Sequence, residues 1–135
     1  MMEAGTMTER SMQAIPVTPE TEAFHAGTKE GRFMIRRCPA CHRAHWYPRS
    51  LCPFCFTETA WETASGEGVI YSYTVMRRVP VPYALAYVTL AEGPAMMTNL
   101  VDCDFDALRI GQAVRVVLKP SADGSLVPCF TVKAE

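Results

Sequence analysis

Cys38-Pro39-Ala40-Cys41 and Cys52-Pro53-Phe54-Cys55 are two C-x-x-C turns with ten residues between them, and they take four of the chain's six cysteines. One such turn lets two thiolates converge on a metal ion. A second completes a tetrahedral S4 set, which zinc favours because it is borderline-soft and has no geometric preference from its d electrons. Proline stands at the same internal position in both turns, so they read as two copies of one local structure. The loop between them is shorter than the roughly 15–20 residues of common four-cysteine zinc patterns, and must be tight. The spacing predicts Cys38, Cys41, Cys52 and Cys55 as ligands of one structural Zn2+ per chain, ahead of iron. Four thiolates saturate the ion and leave no position for a catalytic water.

The remaining composition is that of a soluble globular chain. It has 135 residues, a net charge of −1 and 49% apolar residues, enough for one domain or two very small ones. Near-neutral charge gives no general attraction to nucleic acid or anionic membrane. The charge is nevertheless uneven. Lys29, Arg32, Arg36, Arg37, Arg43 and Arg49 face one acid, Glu30, across residues 29–49, whereas Glu92, Asp102, Asp104 and Asp106 are the charged residues of 92–106. No stretch is long and apolar enough to span a bilayer, and residues 1–13 lack the apolar core of a secretory signal. The expected location is therefore the cytoplasm, where thiols stay reduced and a cysteine-rich motif points to metal rather than disulfides.

In order, residues 1–17 read as a disordered tail. Thr18-Pro19-Glu20 is a helix start, with a capping threonine, proline at the first helical position and an early acid. A helix is expected from Pro19 to about Thr28, within a segment 18–32, docking through Phe24. His25 beside it is expected at the surface or an interface rather than as a ligand. Residues 33–64 form the metal ribbon: Phe33–Arg37 is a short strand, Trp46 and Tyr47 its small core, and 57–65 a link whose Trp61 seals it against the next unit. From Gly66 the period becomes two. Val69, Tyr71, Tyr73 and Val75 share one strand face that reads as barrel core. Arg77–Pro82 is a loop. Further strands are expected at 85–90, 95–101, 114–118 and 126–132, with a turn at Glu92-Gly93-Pro94 and a hairpin at Asp123-Gly124. Asp102–Leu108 reads as a loop or one helical turn. Five strands within 65–135 fit a small closed barrel of OB type. The fold class expected is mainly β: an N-terminal helix, a rubredoxin-like zinc ribbon and a five-stranded OB barrel.

This order resembles the DUF35 family of zinc-ribbon OB-fold proteins associated with acyl-CoA metabolism. Matching residues are Phe24 and Gly31, Arg37-Cys38 with Cys41, Tyr47-Pro48-Arg49 with Cys52-Pro53 and Cys55, and Trp61. The stretch from Ser65 to Val75 follows, then Leu90–Pro94, Thr98–Val101 and Arg109–Val114. The resemblance spans about residues 18–132. It implies a non-catalytic accessory subunit that binds a thiolase-superfamily or related acyl-CoA enzyme in a hetero-oligomer and helps to hold or channel its acyl-CoA intermediate. Relatives in steroid side-chain breakdown suggest an aldolase partner. The chain departs from the pattern in three places. His42 and Phe56 stand where ribbons often carry glycine after a knuckle, His25 stands where tryptophan is common, and the 77–84 loop is short.

Other chemistries fit less well. Cys38-Pro39-Ala40-Cys41-His42 matches the haem-attachment pattern C-x-x-C-H, but that leaves the second turn unexplained. A redox role for a C-x-x-C wants a helix N-terminus in a βαβ setting, which is missing. Cys103 and Cys129 read as small hydrophobes; nothing pairs either with a base for acyl transfer. No catalytic constellation is evident. Arg77 and Arg78 are candidate contacts for a CoA phosphate. The alternative function is a single-stranded nucleic-acid-binding ribbon/OB module, with Tyr71 and Tyr73 for stacking.

Overall fold

The structure, a computed structural model, describes residues 12–133, so residues 1–11 of the expected tail and the last two residues lie outside it. One helix, α1 (Glu22–Lys29), precedes eight strands: β1 (Met34–Arg37), β2 (Ala44–His45), β3 (Ala60–Thr63), β4 (Glu67–Met76), β5 (Tyr83–Leu90), β6 (Ala95–Leu100), β7 (Ala113–Pro120) and β8 (Leu126–Val132). The first three strands form an antiparallel sheet in the order β2-β1-β3, and the other five close a barrel in the order β4-β5-β6-β8-β7. A 3-10 turn at Phe105–Ala107 fills the 102–108 connection. The barrel rungs are antiparallel except for β6–β8, which meet in parallel at Leu100 and Phe130. Among the described residues no helix is long and apolar enough to cross a membrane.

Alternation builds the barrel interior. On β5, Ala84, Ala86, Val88 and Leu90 point inward, joined by Ile70, Met96, Leu100, Val114 and Phe130. The same apolar cluster continues through Phe24 of α1 and Phe33 and Ile35 beside or on β1, so ribbon, helix and barrel share one core. Phe33 meets Phe130 edge-on at 6.2 Å between ring centres. Gly68 sits where a Cβ would lie 2.6 Å from Val88 Cγ1 and 2.9 Å from the Thr89 carbonyl oxygen, which only glycine permits.

Strand β4 is where the period-two reading fails. Its pairing with β5 slips by one residue between Ile70 and Ser72, so the strand carries an extra residue at Tyr71. A bulge of this kind reverses which face later residues occupy. Before the bulge Ile70 faces the core and Val69 stands outside; Tyr71, the extra residue, is 69% exposed; and after it Val75 packs against the core. Tyr73 lies at the rim and donates its hydroxyl to the Leu108 carbonyl at 2.9 Å. The expected shared core face of Val69, Tyr71, Tyr73 and Val75 does not exist.

The helix also begins later than expected. Thr18 is not its cap: Thr21 precedes the first helical residue, and the Thr18 backbone N–H donates to Thr21 Oγ1 at 2.9 Å. Thr21 spends its own hydroxyl proton on the Pro16 carbonyl, so residues 18–21 form a turn that anchors the entering chain. At the other end Gly31 adopts φ 79°, and Arg32 N–H returns to the Gly27 carbonyl while Gly31 N–H reaches that of Thr28, a glycine-closed helix end. His25 is buried rather than at the surface. Its Nε2 lies 3.4 Å from the Pro16 carbonyl, and its ring packs edge-on against Phe24. Residues 12–17 are not a loose tail either: Met12 is buried, pairs in parallel with Ser121 and accepts from Ala122 N–H at 3.1 Å.

Candidate metal centre and the cleft beside it

Each C-x-x-C turn closes with the same two backbone bonds. His42 N–H donates to the Cys38 carbonyl at 2.8 Å and Phe56 N–H to that of Cys52 at 2.9 Å. Cys38 N–H returns to Arg43 and Cys52 N–H to Thr57, at 2.9 and 2.8 Å. The two turns are thus copies at the level of hydrogen bonding. Both force the residue after the second cysteine into the left-handed region, with φ 64° at His42 and 65° at Phe56. An L-residue pays roughly 1–2 kcal/mol there, which glycine would avoid. The turns keep their shape despite lacking that glycine.

The four thiol sulfurs lie within 4.8 Å of one another. Cys38 Sγ to Cys55 Sγ is 3.4 Å and Cys41 Sγ to Cys52 Sγ is 3.6 Å, too long for disulfides. A tetrahedron with Zn–S bonds of about 2.3 Å has edges of about 3.8 Å, so the donor set fits one such ion. Backbone N–H groups of Cys41 and Phe54 point at Cys38 Sγ and Cys52 Sγ, 3.3 and 3.4 Å away, as suits sulfurs carrying negative charge. Hydrogen bonds from Thr57 hold the Cys55 thiol down to about 6. Cys41 accepts a bond from Arg43 N–H that lowers it, yet burial and proton sharing with Cys52, Cys38 and Cys55 push it up to about 11. Four thiols this close cannot all ionise without a cation to balance them.

Aromatic and cationic side chains brace the ribbon. Trp46 packs between Phe24 and Phe33 at 5.5 and 5.6 Å between ring centres, as a core residue should. Tyr47 packs edge-on against Trp46 at 5.5 Å between ring centres but stays 37% exposed, at the edge of that core. Residues 60–63, read as part of a link, form β3 and carry Trp61 against β1, with Arg36 opposite it in register. Arg37 makes a two-pronged ion pair with Glu62 at 3.0 and 3.1 Å. Elsewhere, Arg77 pairs with Asp106 at 2.8 Å and Arg78 is exposed in the adjoining loop. Neither lies in the thiol cluster. Cys129 is buried beside Met12, and Cys103 packs half-buried on the core.

A cleft of about 590 Å³ runs between the ribbon and the β5–β6 turn, walled by Trp46, Pro53, Phe54 and Pro94. His45 and Glu92 also line it. Neither ring nitrogen of His45 makes a well-formed hydrogen bond, although the Arg49 backbone lies near enough to favour its protonated form. Burial, with the nearby Arg36 and Arg49 charges, pushes this imidazole below its ordinary value, against an opposing pull from the Arg49 backbone. Glu92 accepts from Ser65 N–H through Oε2, while its buried Oε1 is unpartnered. The sequence signalled neither: His45 lies on the two-residue strand β2 and Glu92 in a turn, and their juxtaposition needs the folded sheet.

A four-thiolate ribbon fused through one core to a five-stranded barrel defines a zinc-ribbon/OB class of protein. The chain matches the ChsH2 rubredoxin-like zinc ribbon domain over residues 25–62 and the ChsH2 C-terminal OB-fold domain over 61–119. It is 33% identical over 91 residues to a DUF35 domain-containing scaffold protein of Methanothermobacter thermautotrophicus, covering 62% of this chain and 68% of that one. The chain belongs to the DUF35 family. It is also 35% identical over 118 residues to a protein of Thermomonospora curvata named "Probable enoyl-CoA hydratase alpha subunit", and spans 79% of this chain but only 37% of that one. Among solved structures it resembles a chain of the "Ltp2-ChsH2(DUF35) aldolase", with TM-score 0.77, 29% identity and coverage of 88% of this chain and 98% of that chain.

Proposed function

We propose that this chain is a non-catalytic accessory subunit that binds a thiolase-superfamily or related acyl-CoA enzyme, and that Cys38, Cys41, Cys52 and Cys55 hold one structural Zn2+ within it. The observation that carries the reading is the likeness, over 88% of this chain and 98% of that one, to a chain of the "Ltp2-ChsH2(DUF35) aldolase". The scaffold relatives' name supports an accessory role, and the hydratase relative's name supports acyl-CoA chemistry while naming a subunit of an enzyme. Zinc in such a site supplies folding energy, on the order of 10–16 kcal/mol apparent for comparable peptides. The chain's own residues do the rest: ribbon residues 33–64 orient α1 and Trp61, and the strands from Glu67 to Val132 offer a barrel platform. A CoA phosphate at Arg77 and Arg78 would have to displace Asp106 from Arg77.

The test is affinity purification of the tagged chain at native expression level. A thiolase-superfamily or related acyl-CoA enzyme should co-purify and lose activity when this chain is removed. Tight, salt-sensitive binding to a single-stranded oligonucleotide with no enzyme partner would favour the second reading. One observation supports that alternative: Tyr71 and Tyr87 stand exposed on the barrel. The outward positions around them, Val69, Ser72, Thr89 and Met97, carry no cation to meet a phosphate backbone.

A further inference from the structure

Strand β2 is an edge of the ribbon sheet, and residues 42–46 line one wall of the cleft, with residues 92–95 on the other. Successive side chains of a strand point to opposite faces, so a run of neighbours lining one cleft places that cleft along the strand's edge. The register says which backbone groups face it. Cys38 N–H donates to the Arg43 carbonyl at 2.9 Å and Arg36 stands opposite His45, so 38/43 and 36/45 are the bonded pairs of the β1–β2 ladder. Bonded and non-bonded positions alternate in an antiparallel pair. Ala44 falls between them, opposite Arg37, and turns its own N–H and carbonyl away from β1. Neither group has a partner among the described residues, although Ala44 is only 8% exposed. Backbone groups this buried are normally satisfied. Across the cleft Glu92 holds a second unmet group, its buried Oε1. Arg43, which also lines the cleft, stacks 4.5 Å over the Phe54 ring and makes no ion pair among the described residues.

We propose that this edge is a peptide clamp: one residue of an extended segment of the partner enzyme accepts the Ala44 N–H and donates to its carbonyl, an acidic side chain of the segment meets Arg43, and a hydrogen-bond donor meets Glu92 Oε1. The inference rests on the accessory-subunit reading above. An open donor and acceptor on one edge residue fit strand addition, in which backbone bonds give affinity and flanking side chains give selectivity. Recess chooses the occupant. Ala44 and His45 are 8% and 5% exposed, so a single extended chain can reach the edge where another sheet cannot. A second copy would bring its own β2, equally recessed behind its own residues 92–95, and the two edges could not meet. The segment before Met12 starts from the far end of β6, since Met12 packs on Val101 whereas the cleft takes Ala95.

The experiment follows hydrogen exchange at the Ala44 amide by NMR, in the full chain alone and saturated with the enzyme that co-purifies with it, and measures the affinity of variants for that enzyme. Exchange at Ala44 should slow about tenfold or more in the complex. Ala44→Pro removes the outward N–H at an edge position, where proline is tolerated, and leaves the bonded positions 43 and 45 in place. It should keep its zinc and bind about tenfold more weakly. Ala95→Trp fills the cleft from an exposed position and tests the same site should Ala44→Pro fail to fold; it should weaken binding at least as much. Arg43→Glu should act mainly by slowing association. Tyr87→Ser, on the outer barrel face, should bind normally. Unchanged Ala44 exchange in the complex, or normal binding by Ala95→Trp, overturns the clamp and leaves the accessory role standing. Failure of the natural chain to capture an acyl-CoA enzyme overturns both. Ala44 protection without enzyme overturns the proposal too: loss of that protection on removing residues 1–11 assigns the edge to the chain's own start, growth with chain concentration assigns it to a second copy, and dependence on added coenzyme A assigns it to a small molecule.

Discussion

The Arg36 guanidinium lies 4.6 Å from the centre of the Trp61 ring, its partner across the β1–β3 ladder. The same group donates to the Oγ1 and the carbonyl oxygen of Thr59, so a buried cation is satisfied by one aromatic face and two oxygens. Arg36→Ala strands the Thr59 carbonyl and uncovers Trp61. It should cost about 2–4 kcal/mol in urea unfolding. Arg36→Lys should recover little of that, because an ammonium cannot stack and fork together.

Cys52 is fully buried in the thiol cluster. Cys52→Ala should reduce bound zinc from one per chain to none and shift Trp46 and Trp61 fluorescence as the ribbon loosens. Metal retained at full stoichiometry, with helix–barrel contacts intact by NMR, would remove the structural-zinc assignment.

Gly68→Ala places a methyl group against Val88 Cγ1 and the Thr89 carbonyl, the second of which belongs to rigid backbone. The mutant should lose about 1–3 kcal/mol, read as a lower urea midpoint at unchanged slope. Gly93→Ala meets no neighbouring atom, although its φ of 119° still disfavours a side chain. Comparing the two separates steric clash from backbone strain.

How much of this was legible in advance depended on the range of the interaction. The thiol set was readable because two C-x-x-C turns specify their own local geometry. The five barrel strands were readable because alternation and turn residues are local too. The face of Tyr71 was not, since a bulge is set by the partner strand's register and leaves no period of its own. Strands β2 and β3 escaped notice because they are short and form only by pairing with β1. Thr18 looked like a cap, but Thr21 took the role of anchor through a contact with Pro16 that propensity does not encode.

The hairpin between β7 and β8 carries a pH dependence. Hydrogen bonds from the Ser121 and Ser125 side chains and the Ser125 backbone hold Asp123 down to about 2, from an ordinary 3.8. A depressed carboxylate stabilises the fold fully above its unfolded value, and that contribution fades as pH falls from about 4 through 2. The protection of the Ser125 amide, its exchange rate relative to the intrinsic rate at each pH, should fall over that window in the natural chain, and Asp123→Asn should flatten the dependence. An unchanged profile in the variant would place the effect on another acid.

The single parallel rung between Leu100 and Phe130 has a consequence for biogenesis. A ribosome delivers β4, β5 and β6 well before β8, so a nascent chain carries the β6 edge unpaired until its last strand emerges. During that interval the molecule is an open sheet with a vacant hydrogen-bonding border, the form in which β proteins associate wrongly. Chains stalled or truncated before residue 126 therefore never acquire the closed barrel. Quality control in the cell would act on this protein chiefly through the late arrival of one strand.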